Sequence, residues 1–302
     1  MKYIIGTRGS KLALVQTELV IKNLKSAYPQ DEFIAKVIKT TGDMDQKRRL
    51  DEIGSKGIFV KEIEDELLDG TISMAVHSMK DMPDEPAEGL IFAKAWKRED
   101  PRDVLILKKA ESLDELPYRA VIGTGSKRRA YQISAMRPDL KIVSIRGNVD
   151  TRIRKLKEGQ LCEGEILDGI VIAAAGIKRI GRADEITQYL SCDEMIPAPA
   201  QGTLAIELKA DNLDLLEKLN ALSDEAAQES VDAERSFLKQ IGGNCHLPVA
   251  AYCDKNDKGT FRLRAMFGTE DGSRLAFTDI TDDDTEKIVE RAVEEIRRQL
   301  EK

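Results

Sequence analysis

The 302-residue sequence predicts an α/β protein built as two successive α/β sets with largely parallel sheets, followed by a smaller α+β unit. Three observations carry this. Short β-type runs alternate with amphipathic helical runs from Tyr3 to Ala173; a Pro-rich crossing, Ile196-Pro197-Ala198-Pro199-Ala200, interrupts them; and the tail reads as three β runs and one amphipathic helix. Hydrophobic residues make up 41% and charged residues 33%, enough apolar side chain for sizeable cores and too much for wholesale disorder.

The elements follow in order. Tyr3-Ile4-Ile5 is a strand, and Ser10 is the N-cap of a helix on which Leu12, Val15, Leu19 and Leu24 recur up to Tyr28-Pro29. Phe33 to Ile38 is the next strand. The glycine turn 54–57 precedes a helical run with Phe59, Ile63, Leu67 and Leu68, and Ile72 to Val76 returns to β character. After the polar stretch Lys97 to Arg102, where Asp100 and Asp103 read as turn and linker residues, strands are expected at Ala120 to Gly123, Lys141 to Ile145 and Gly169 to Ala173. Helices Lys127 to Ala135 and Val149 to Lys157 separate them. Beyond the Pro-rich crossing come a strand over Gly202 to Leu208, helices over Leu213 to Leu222 and Asp224 to Gln240, and β runs near Val249, Phe261 to Phe267 and Leu275 to Ile280. A helix after Asp284 carries an apolar stripe of Ile288, Val289, Ala292, Val293, Ile296 and Leu300.

Several function classes are disfavoured. The longest uncharged apolar stretch, Gly169 to Ile177, is nine residues, far short of the roughly 20 that cross a bilayer, and the first residues lack a signal-peptide apolar core, so a cytoplasmic protein with no membrane partner is expected. Four cysteines without a CxxC pair and two histidines argue against a metal site. A net charge of −7 with 5% aromatic residues argues against nucleic acid as a partner.

The charge is unevenly placed. From Arg119 to Arg182 there are 14 Lys and Arg against 6 Asp and Glu, a basic segment inside an acidic chain. Ser126 and Lys127-Arg128-Arg129 stand at a strand-to-helix turn, where free N–H groups already favour an anion; Arg146-Gly147-Asn148 with Arg152 repeats that arrangement, and Lys178-Arg179 follows the third strand. Carboxyl ends of such strands share one crevice, so a pocket for several carboxylates or phosphates is expected, with Arg8, Ser10 and Lys56 as further contributors. Asp81, beyond a strand end in His77-Ser78-Met79-Lys80-Asp81-Met82-Pro83, is the leading acid/base carboxylate; His77 reads as a hydrogen-bonded structural residue. Cys245 stands in a glycine-rich turn that favours an accessible thiol.

These segments together resemble the hydroxymethylbilane synthases, also called porphobilinogen deaminases, over essentially the whole chain. The resemblance rests on Thr7-Arg8-Gly9-Ser10-x-Leu12-Ala13-Leu14, Gly57-Ile58-Phe59-Val60-Lys61-Glu62, Ala75 to Pro83, Arg98-Glu99-Asp100-Pro101-Arg102-Asp103, Arg128-Arg129, Ile145 to Val149, Ala175 to Arg179, Pro199-Ala200-Gln201-Gly202 and the Cys245 turn, in the family's order. It implies a transferase of porphyrin (heme) biosynthesis that condenses four porphobilinogen molecules, with loss of ammonia, into a linear tetrapyrrole. It also implies a dipyrromethane cofactor in thioether linkage to Cys245. By the same resemblance Lys80, Ser126, Arg128, Arg129 and Arg179 hold cofactor carboxylates; Arg8, Ser10, Arg146 and Arg152 bind substrate and the growing chain; Lys56 belongs to a lid; and Asp81 faces the pyrrole nitrogens, stabilising the cation left by ammonia. The implied fold is a monomer with two periplasmic-binding-protein-like lobes of mixed, largely parallel sheets, 1–97 with 197–219 and 102–193, and a smaller α+β C-terminal domain, 222–302. Three departures from the family pattern stand out: Asn244 before the cysteine, Gly125 in place of a serine, and acidic Asp51 and Glu52 before Lys56. Two other classes remain open at this point: a non-catalytic polyanion binder and a nucleic-acid binder.

Overall fold

A computed structural model describes residues 1–40, 60–243 and 247–301. The chain divides into two compact units, Met1–Arg98 with Thr203–Gln228, and Glu99–Gly202 with Glu229–Lys302. The last of the three boundaries, between Gln228 and Glu229, falls inside the helix Glu225–Ile241.

The first unit is a five-stranded mixed sheet. Its strands are β1 (Lys2–Thr7), β2 (Glu32–Val37), β3 (Met74–Ser78) and β4 (Leu90–Phe92), joined later in the chain by β12 (Leu204–Lys209), in the order β2-β1-β3-β12-β4. β1 pairs in parallel with β2 and β3, as alternating strands and helices require. β12 arrives from the distant Pro-rich crossing and pairs antiparallel with both β3 and β4. Helix Lys11–Ala27 forms as expected, but its buried face is Ala13, Gln16, Thr17, Val20 and Leu24, while Leu19 is 40% exposed. The buried stripe thus runs through positions 13, 16, 17, 20 and 24, and Leu19 falls outside it. Tyr3, Ile5, Phe33, Met74, Val76, Ile206 and Leu208 form the core beneath it. On the opposite face helix Lys61–Leu68 packs Ile63 and Leu67 against Ile38, Ile72 and Ala75.

The second unit opens with β5 (Asp103–Leu107), a strand at a position read from sequence as linker. With β6 (Val121–Gly123), β7 (Lys141–Val143), β10 (Gly169–Ala173) and β11 (Gln188–Leu190) it makes the sheet β11-β5-β10-β6-β7, parallel at β10-β6-β7 and antiparallel at β11-β5-β10. A small hairpin, β8 (Leu161–Cys162) with β9 (Glu165–Ile166), precedes β10. Helices Lys127–Met136, Val149–Glu158 and Ala174–Arg179 follow β6, β7 and β10. Further along, β13 (Val249–Lys255), β14 (Phe261–Gly268) and β15 (Leu275–Asp282) form an antiparallel sheet covered by helix Thr285–Leu300. Asp284 caps that helix by accepting the N–H groups of Glu286 and Lys287, and its predicted apolar stripe is buried from Ile288 to Ile296 with Phe237, Leu263 and Ile280 in a core of its own.

No helix among the described residues is long and apolar enough to cross a membrane, and no group of three metal-ligating side chains occurs among them.

Candidate active site

The first unit mounts its chemistry at the ends of β1 and β3. Beyond β1, Arg8 is half-buried, and Ser10 caps helix Lys11–Ala27 by accepting the Ala13 N–H at 3.3 Å; its own hydroxyl proton is not spent on that cap. Beyond β3 the chain makes one 3-10 turn, Met79–Asp81. Met79 anchors it, buried, with its N–H donating to the Thr203 carbonyl at 3.0 Å, and Met82 N–H returns to Met79 O at 3.1 Å. Helix Lys11–Ala27 adds a tie through Gln16 Nε2, which donates to Ser78 Oγ at 2.9 Å. Lys80 is half-buried, and Asp81 ends the turn exposed to solvent. A carboxylate at the solvent side of a firmly tied turn can accept from a ligand N–H or face a cation.

The second unit holds the arginines, in two groups. Arg128 and Arg129 lie in the first turn of helix Lys127–Met136, whose N-cap Ser126 accepts the Arg129 N–H at 3.5 Å. Both guanidinium groups turn inward to Asp103, the first residue of β5, which is wholly buried. Arg128 Nη1 donates to Asp103 Oδ2 and to the Ile196 carbonyl, both at 2.7 Å; Arg129 Nε donates to Asp103 Oδ1 at 3.0 Å. Gln201 completes the group: its Nε2 donates to Asp103 Oδ1 at 2.9 Å and its Oε1 accepts from Arg129 Nη2 at 3.3 Å. Burial pushes the Asp103 carboxyl up, but the charges of Arg128 and Arg129 outweigh it and hold it far below the usual carboxylate range. Asp103 is therefore not a linker residue. The run Val104-Leu105-Ile106-Leu107 behind it carries the strand signal, and only a partner distant in sequence explains an acid at its head.

Arg179 ends the short helix Ala174–Arg179, with Nη2 donating to the Gly202 carbonyl at 2.6 Å, next to Gln201. Its Nε is buried with no hydrogen-bond partner, and burial lowers the guanidinium to about 10 against the opposing charge of Glu99. Neighbouring Lys178 instead pairs with Glu99 at 2.8 Å. Two buried guanidinium groups thus share one carboxylate, and a third has a carbonyl partner. An excess of buried positive charge is costly unless an anion meets it.

Arg146 and Arg152 form the other group around the turn after β7. Arg152 Nε donates to the Gly147 carbonyl at 2.7 Å, and Lys155 Nζ to that of Arg146 at 3.2 Å. Gly147 has φ +109°, and a Cβ there would stand 2.7 Å from Thr151 Cγ2, so the turn requires glycine. Gly125, which departs from the serine of the family pattern, abuts the Ile145 carbonyl: a Cβ would lie 3.1 Å from it and 3.9 Å from Arg152 Nη2. The structure thus brings Arg128, Arg129 and Arg179 to one segment and Arg146 and Arg152 to another. Lys56, Asn244, Cys245 and His246 lie outside the described residues. Asp103 and Gln201 complete the arginine group and are not among the site residues expected from sequence, although both stand in segments that carry the family resemblance, Arg98 to Asp103 and Pro199 to Gly202.

A family model described as "Porphobilinogen deaminase, dipyromethane cofactor binding domain" matches residues 3–217, and "Porphobilinogen deaminase, C-terminal domain" matches residues 228–298. Porphobilinogen deaminase of Lachnospira eligens is 57% identical over 288 residues, covering 95% of this chain and 96% of that protein. The Clostridioides difficile protein of the same name is 52% identical, covering 94% and 92%. Among solved structures, the second substrate-binding domain of an amino acid ABC transporter from Streptococcus pneumoniae matches with a TM-score of 0.45 and 15% identity, over 80% of this chain and 94% of that one. By the two family models and these near full-length relatives, the chain belongs to the porphobilinogen deaminase family.

Proposed function

We propose that Asp81 is the catalytic carboxylate and that Arg128, Arg129 and Arg179, with Lys80 and Ser126, hold the carboxylates of a dipyrromethane anchored on Cys245, while Arg8, Ser10, Arg146, Arg152 and Lys56 take incoming substrate and the lengthening product. The activity is that of the family: a transferase joining four porphobilinogen units into hydroxymethylbilane with release of ammonia. The residues present fit a polyanionic cofactor, because the group around Asp103 has more guanidinium charge than carboxylate and leaves Arg179 Nε buried and unpartnered. When bound, the dipyrromethane supplies the terminal pyrrole that new units join. Arg128 and Arg129 present fixed forks suited to paired carboxylates, held in place by Asp103 rather than free to swing. Asp81, acting from a short tied turn, accepts the pyrrole N–H of the reacting unit and stabilises the positive charge that develops as ammonia leaves.

The reading includes a monomeric, cytoplasmic enzyme without nucleic-acid or membrane partners, and three domains over 1–97 with 197–219, 102–193 and 222–302. The observation that supports the site most is the surplus of buried cation around Asp103. Asp81→Asn tests the catalytic role: it is expected to keep the cofactor, read as intact mass, and to lose at least a hundredfold in turnover. Near-normal turnover would remove Asp81 from that role.

A further inference from the structure

Beneath the Asp81 turn lies a polar group that this mechanism does not use. His77, on β3, and Glu207, on β12, are both buried, with side chains 5% and 0% exposed, and His77 Nε2 stands 3.2 Å from Glu207 Oε2. His77 Nε2 and both oxygens of Glu207 are buried and make no hydrogen bond among the described residues, so the 3.2 Å approach is an ion-pair contact and not the hydrogen bond expected for His77 from sequence. A buried carboxylate so placed is tolerated when a cationic or N–H partner faces it, and stranded when that partner is removed. Glu64, on helix Lys61–Leu68, reports the same local field: burial raises its carboxyl, Glu207 raises it further, and His77 opposes.

The placement gives the pair a task. Antiparallel β3 and β12 are in register with Ser78 opposite Leu204, His77 opposite Ala205 and Ala75 opposite Glu207, and the next residue, Met79, donates to Thr203 O. His77 and Glu207 therefore sit diagonally on one face, directly behind the turn. A slip of one residue would send them to opposite faces and bury both unpaired. We infer that the His77–Glu207 pair is a positioning device that locks β3 against β12 and so fixes the reach of the Lys80–Asp81 turn. The inference rests on the catalytic reading of Asp81.

The test compares the full-length, cofactor-loaded enzyme as wild type, Glu207→Gln, His77→Gln and the double variant, with Asp81→Asn alongside. Each single variant is expected to lower kcat on porphobilinogen about tenfold or more, to leave KM within about twofold and to retain cofactor mass; the double variant falls no further than the worse single, because one loss already breaks the pair. Single variants with kcat within twofold of wild type, a KM rising in step with the loss, or losses that multiply in the double variant would each overturn it. Full turnover in Asp81→Asn would instead sink the catalytic reading. Should the single variants fail to fold, the wild-type enzyme decides: with only two histidines in the chain, ¹⁵N-histidine spectra are expected to show a slowly exchanging imidazole N–H for His77, and its absence overturns the pair.

Discussion

Asp103 decides how the arginines behave. It is a fully buried carboxylate that takes hydrogen bonds from Arg128, Arg129 and Gln201, and it sets both guanidinium groups before any ligand arrives. Replacing it with Asn keeps the size but strands two buried cations, so Asp103→Asn is expected to cost about 3 kcal/mol of stability in denaturant unfolding at pH 7. The pH dependence follows from the sign of the shift. A carboxyl depressed on folding stabilises above its unfolded value, about 3.9, and that contribution fades as pH falls through the lower folded value. The gap between wild type and Asp103→Asn is therefore expected to be level from pH 7 to about 5 and to narrow below about 4. A gap that widened on acidification would contradict this account of Asp103.

At the scale of elements, turns after successive strands do the positioning. The turn after β7 needs Gly147 at φ +109°, and its carbonyl fixes Arg152. Gly147→Ala is expected to destabilise the fold by about 1 kcal/mol and to raise KM for porphobilinogen several-fold while leaving cofactor mass intact, measured by denaturation, kinetics and intact mass. An unchanged KM would separate Arg152 from substrate binding. Much of this architecture was legible in the sequence because it is local: periodicity and caps give the helix after Ser10, the helix after Ser126 and the stripe from Ile288 to Ile296. What was illegible is non-local. β5 and β11 are short strands whose antiparallel pairing joins them to β10 across long stretches of chain, the antiparallel register of β12 on β3 and β4 is set by partners far off in sequence, and the exposure of Leu19 depends on a sheet that the helix sequence does not contain. The same holds for the site: Arg128 and Arg129 are conspicuous as adjacent cations at a helix start, whereas Asp103 and Gln201 acquire meaning only when chain segments far apart in sequence meet.

For the whole molecule, charge distribution and chemistry agree. An acidic chain of net charge −7 concentrates cations between Arg119 and Arg182, and the elements there turn several of them inward, onto carbonyls and a single carboxylate. Under the proposed reading, each added pyrrole would bring two further carboxylates to meet this charge. The most direct test of that account is the intact mass of the denatured protein, measured beside a Cys245→Ser variant after both have been incubated with porphobilinogen. A covalent excess equal to two linked pyrroles is expected on the wild type and none on the variant; an unmodified wild type, or an equal adduct on Cys245→Ser, would contradict a cofactor anchored on Cys245.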